Sequence, residues 1–167
     1  MYQLEDQVMY GIHGVCRIAE LEVKRVDRKN VEYFVLVPVG QPAARYYVPT
    51  GNPAVLSKLR PLLTRDELLL LLDSDDVRKD VWIPDENRRK LHYRELLSSA
   101  DRLGLLQMIY TLQMQKEIQT ASGRKFHLCD ENFLRDAEKV LSSEFSVVLG
   151  IPVTQVGEFV ENHLREK

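Results

Sequence analysis

Apolar positions change their period once along this chain. From Gln7 to Pro61 they come in short runs rich in β-branched and aromatic residues, separated by turn formers; beyond Leu63 they recur at three- and four-residue spacing. In the first part, Val8-Met9-Tyr10 runs into Gly11 and Gly14, Val15 to Val26 alternates loosely around Ile18 and Leu21, and Val31 to Val39 forms a second long run. Asp27-Arg28-Lys29-Asn30, between the two long runs, has the length and polarity of a hairpin loop. Gly40-Gln41-Pro42 turns the chain again, Arg45 to Val48 supplies a further strand, and Pro49-Thr50-Gly51-Asn52-Pro53 ends the ladder with residues that cannot extend it. The pattern predicts five short antiparallel strands. A sheet that small leaves both edges open unless it closes on itself, so the expected form is a closed or nearly closed barrel.

The second part reads as helices. Thr64-Arg65-Asp66-Glu67 fits a capping box, in which hydroxyl and carboxylate satisfy free backbone N–H groups, and Leu68 to Leu72 follows as a short helix ended by Asp73-Ser74-Asp75-Asp76. Val77 to Asp85 has no period, contains Pro84 and carries the only tryptophan, Trp82; it reads as an irregular loop. Leu91, Tyr93, Leu96 and Leu97 mark a helix from Glu86 to Leu97, and Leu105, Met108, Ile109, Leu112 and Ile118 mark one from Asp101 to Thr120, stopped by Gly123. Asp130 is the expected N-cap of a helix over Glu131 to Leu149; Gly150-Ile151-Pro152 breaks it, and Thr154 caps a last helix ending near Arg165. No internal repeat is visible. The expected fold class is α+β with segregated elements: a β-rich domain over 1–63 and an all-α domain over 64–167.

Composition narrows the function classes. With 167 residues, 44% hydrophobic and 29% charged, the chain has an ordinary globular balance. A net charge of −2 argues against binding held mainly by counterion release. Residues 1–63 carry eight Lys/Arg against six Asp/Glu, so the β-rich part is slightly basic and the rest acidic. The longest apolar run, Leu68 to Leu72, is far short of the ~20 residues of a membrane span, so no membrane association is expected. The opening MYQLEDQVMY has acids where an export signal would have cations and an apolar stretch, so the expected location is the cytoplasm. Cys16 and Cys129 form no disulfide framework; reduced, structural thiols are expected.

No catalytic seat is visible. His13, His92, His127 and His163 have no metal-ligand spacing, and there is no phosphate loop, dinucleotide fingerprint or nucleophile elbow. The expectation is a non-enzyme with no cofactor and no metal. Three features remain. His13-Gly14 lies in a turn, either as a surface hairpin residue or as a ligand. Arg45-Tyr46-Tyr47-Val48-Pro49 is either a core-facing strand or an edge strand able to pair with a partner's strand, since its proline favours an edge. Trp82 precedes Arg88, Arg89, Lys90 and Arg94. It is either a core residue beside a solvated basic face, or an exposed ring that inserts where bases are unstacked while the cations neutralise phosphates.

Taken together these stretches resemble the CarD family of bacterial transcription regulators, also called CarD/CdnL, whose N-terminal module is similar to the polymerase interaction domain of the transcription-repair coupling factor. The resemblance lies in Asp6-Gln7-Val8-Met9-Tyr10-Gly11-Ile12-His13-Gly14, in Glu32-Tyr33-Phe34-Val35-Leu36, in the strand ending Val48-Pro49, and in Trp82 followed by an Arg-rich helix start. Ala137 to Gly150 is similar to the C-terminal domain of Firmicute-type members. Glu5, Gly11, Tyr47 and Pro84 depart from the family pattern. The resemblance implies a Tudor-like or SH3-like barrel that docks on the β subunit of RNA polymerase, with contacts expected among Lys24, Arg25, Arg45, Tyr46, Tyr47, Val48 and Pro49. It further implies a helical domain at the upstream edge of the transcription bubble, binding promoter DNA weakly and without sequence preference through Trp82, Arg88, Arg89, Lys90 and Arg94. The protein is then a monomeric regulator that stabilises the open promoter complex. The alternative is a polymerase adaptor without DNA contact.

Overall fold

The computed structural model describes residues 2–166, which divide into two compact units between Leu62 and Leu63. The first contains strands β1 (Gln7–Tyr10), β2 (Val15–Val26), β3 (Lys29–Pro38), β4 (Tyr46–Pro49) and β5 (Leu59–Pro61), with one helical turn, α1 (Pro53–Leu56), before β5. All pairings are antiparallel and the order is β4-β3-β2-β1-β5. The ladders end at β4 and β5; among the described residues they do not close into a ring. Leu59-Arg60-Pro61 is too short to alternate, and it becomes a strand only because β1 offers it a partner.

Val8, Cys16, Ile18, Phe34, Leu36, Val48 and Leu59 form the core of this unit. Burial pushes the Cys16 thiol up to about 11, which makes it an inert packing residue. A bulge between Ile18 and Glu20 shifts the register of the long hairpin. Its turn is tighter than Asp27 to Asn30: Val26 pairs with Lys29, leaving only Asp27 and Arg28 in the loop, at φ 50° and 67°. Both are left-handed, as a two-residue type I′ hairpin requires, here without glycine. Gly14, at φ 80° and ψ −155°, occupies backbone space that a side chain would exclude.

The second unit contains α2 (Arg65–Asp73), α3 (Glu86–Ser99), α4 (Arg102–Ala121), α5 (Leu128–Leu149) and α6 (Val153–Arg165), with a 3-10 turn at Asp75–Arg78. Thr64 and Glu67 make both halves of the capping box. Asp101 caps α4 through the Gly104 N–H, and Gly150 ends α5 at φ 69°. The core joins Leu68 and Leu72 to Leu105, Leu106, Met108, Ile109 and Leu112 of α4, to Phe133, Ala137, Leu141 and Phe145 of α5, and to Val156, Val160 and Leu164 of α6. Each of these side chains larger than Ala137 contributes about 1.5–3 kcal/mol on leaving water.

Charges are buried here as well. Glu144, 1% exposed, takes two 2.6 Å hydrogen bonds from Arg102 and one of 3.0 Å from the Leu63 N–H. Arg78 donates to Leu72 O and Ser74 O at the end of α2, and to His163 O and Leu164 O at the end of α6. Asp130 does not cap α5. The helix begins two residues earlier, and Asp130 lies inside it, 2% exposed and paired with Arg89.

Candidate functional site

Two surfaces carry the residues singled out in the sequence, one on each unit. On the β unit, β4 is an edge strand, paired with β3 from Tyr46↔Leu36 to Pro49↔Tyr33. Alternation sends its side chains both ways. Val48 is wholly buried in the core, so it can meet a partner only through its backbone, not through the side chain expected of it. Tyr46 also turns inward, packing on the core and against the rings of His13 at 4.5 Å and Tyr10 at 5.7 Å. His13 is thereby the lid of an aromatic cluster.

Tyr47 points outward. Its ring meets Tyr33 edge-on at 6.2 Å, and the Lys24 ammonium sits 3.7 Å from its centroid. Lys24 thus joins the β4 face, while Arg25, the next residue along β2, projects from the other side of the strand. Arg45 precedes β4 and is exposed; its guanidinium donates to Pro42 O and Ala44 O, bracing the turn that feeds the edge. Pro49 is half-buried and offers no N–H.

On the helical unit, Trp82 is half-buried against the core, and the guanidinium carbon of Arg89 lies 4.3 Å from its ring centroid. Arg89 is 5% exposed. It donates to both oxygens of Asp130 at 3.0 Å and to Ile83 O and Pro84 O at 3.0 and 3.4 Å. Arg89 is therefore no phosphate contact, because its donors are spent inside the protein. The reason is helical: neighbours in the run Arg88-Arg89-Lys90 point about 100° apart, and Arg89 falls on the inward stripe with Tyr93 and Leu96. Lys90 is half-buried and pairs with Glu86 at 3.0 Å, whose hydrogen bond and charge raise its pKa. Arg88 and Arg94 are exposed and make no ion pair among the described residues.

Beneath this platform Tyr93 packs edge-on against Phe133 at 5.4 Å, and its buried hydroxyl has no hydrogen-bond partner among the described residues. Desolvation, reinforced by the charge of Asp130, pushes its pKa well up. Beside the platform, Arg88, Leu91, His92 and Glu95 form one stripe of α3 and face Trp82, Ile83 and Pro84 across an open cleft of about 390 Å³. His92 and Glu95 were not singled out by the basic run; their i, i+4, i+7 spacing from Arg88 was the available signal.

The family model of the CarD-like/TRCF RID domain matches residues 2–60. No curated protein matches the chain. The matched residues run from the start of the described β unit into β5, spanning the His13-Gly14 turn and the β4 edge. Over residues 2–60 the chain is thus similar to the CarD-like/TRCF RID domain, an RNA polymerase interaction domain.

Proposed function

We propose that the protein is a transcription regulator that docks on the polymerase β subunit through the β4 edge and stabilises the open promoter complex through the Trp82 surface of its helical unit. The observation that carries the docking is the side of β4 that no strand pairs with among the described residues, in a stretch similar to a polymerase interaction domain, with Tyr47 and Lys24 stacked on its outer face. A partner strand gains backbone hydrogen bonds along such an edge, and alternate side chains set specificity. The test is retention of the β subunit by immobilised protein. Wild type retains it; Tyr47→Ala with Lys24→Glu loses at least tenfold in affinity, while Arg25→Glu, on the other side of β2, changes it less. Equal loss from both would move the contact off β4.

Arg88, Arg94 and the ring of Trp82 form the DNA-facing set in this reading. Two cations give a salt slope near −2 on duplex DNA, at about 0.9 per phosphate, and Arg88→Glu with Arg94→Glu flattens it. Tethering to polymerase raises the effective concentration of the helical unit, so such weak affinity suffices. The internal pairing of Arg89 and Lys90 favours the second reading, an adaptor without DNA contact. The readings separate on open-complex lifetime: a Trp82→Ala variant that binds polymerase as wild type does, yet no longer prolongs the complex, supports the first, and an unchanged lifetime supports the second.

A further inference from the structure

We propose that the cleft between Trp82 and α3 is a receptor for one unpaired nucleobase, with the adjoining phosphate held by Arg88. The proposal rests on the reading that this surface faces melted DNA, and it changes what Trp82 does there. One face of the indole is already covered by the Arg89 guanidinium, itself locked to Asp130. A ring covered on one face cannot be sandwiched between two base pairs. It stacks one base, on its other side.

The cleft has the dimensions and chemistry for that base. Its volume of about 390 Å³ lies at the small end of the range for small-molecule sites. Ile83, Pro84 and Leu91 supply apolar walls, and Leu91 is 59% exposed, an apolar surface that packing within the protein does not account for. Arg88 and Glu95 are seven residues apart on one helix face, about 10 Å along the axis. A cation therefore marks one end of the cleft and a carboxylate the other. A nucleotide has the complementary polarity, anionic at its phosphate and hydrogen-bond donating at an amino edge of its base. Glu95 accepts from an exocyclic amine, and His92 between them can donate or accept. Adenine, cytosine and guanine satisfy this arrangement better than thymine, which has no exocyclic amine.

The test compares two DNAs with the full-length protein: a blunt duplex, and the same duplex extended by one unpaired adenine or 2-aminopurine. Stacking of a base on an aromatic side chain predicts about tenfold tighter binding to the extended DNA, with 2-aminopurine emission quenched on binding. Glu95→Ala and His92→Ala, both on α3, reduce that preference towards unity without weakening duplex binding. Equal affinity for the two DNAs, with salt-dependent duplex binding that Arg88→Glu weakens, overturns the base receptor and leaves the DNA-facing reading standing. Absence of salt-dependent binding to either DNA overturns both.

Discussion

The β unit packs Val8, Ile18, Phe34, Leu36 and Val48 against one another and buries no charged side chain among its described residues, whereas the helical unit sinks Arg89, Asp130 and Glu144 among its leucines. The contrast follows from how each kind of element finds its register. A strand is held by its ladder, and a slip of one residue turns every core side chain to the wrong face. A helix meets its neighbours through side chains alone, and apolar stripes can be shifted past one another at low cost. Directional bonds from Arg89 to Asp130, between α3 and α5, and from Arg102 to Glu144, between α4 and α5, single out one arrangement.

Breaking one of those pairs is the strongest test. Asp130→Ala leaves the Arg89 charge buried alone and is expected to cost about 3–5 kcal/mol in denaturant unfolding, with loss of the near-ultraviolet signal of Trp82. A charge-free pair, Arg89→Met with Asp130→Leu, should recover most of that stability; if it also recovers a sharp Trp82 signal, apolar packing alone sets the helix register and the contrast fails. In the β unit, Ile18→Val should cost about 0.5–1.5 kcal/mol, with faster amide exchange confined to β1, β2 and β3. Relief of the left-handed strain at Arg28 should work the other way: Arg28→Gly is expected to stabilise by about 0.5–1 kcal/mol, raising the melting temperature of the β unit.

The smallest effect is on the helical side and depends on pH. Burial first, then the neighbouring charge of Glu161, raises the pKa of Glu138. A carboxyl raised in the folded state penalises folding when ionised, so the penalty is complete above the folded pKa and is relieved as pH falls through it. Glu138→Gln should therefore raise the melting temperature at neutral pH, and the gain should shrink in acid.

Local chemistry was legible in the sequence and remote chemistry was not. The Thr64–Glu67 box and the Gly150 stop each involve groups within a few residues of one another, so their types and spacing suffice. Asp130 misled because an aspartate near a helix start has the same local signature whether it caps or pairs, and its partner lies 41 residues away. Arg89 was read as surface from its cationic neighbours, although its helical phase with Tyr93 and Leu96 already pointed inward. Along the Arg45 to Pro49 strand the alternation was visible, but which of Tyr46 and Tyr47 faced the core depended on its pairing with β3. The fifth strand is counted but not located in the sequence, because β5 is supported by a ladder to β1, some fifty positions earlier.

The Arg78 clasp differs from the buried pairs in what can undo it. It joins two helices at their carbonyl ends, where each carries roughly half a negative charge, so the guanidinium turns a repulsion between dipoles into a shared attraction. Carbonyls do not take up protons at any pH a protein survives, and arginine does not give its proton up. Removing the carboxylate of Asp130 or Glu144 by substitution thus leaves this joint whole. In the Asp130→Ala variant α3 should loosen from α5, while α2 and α6 remain fastened end to end.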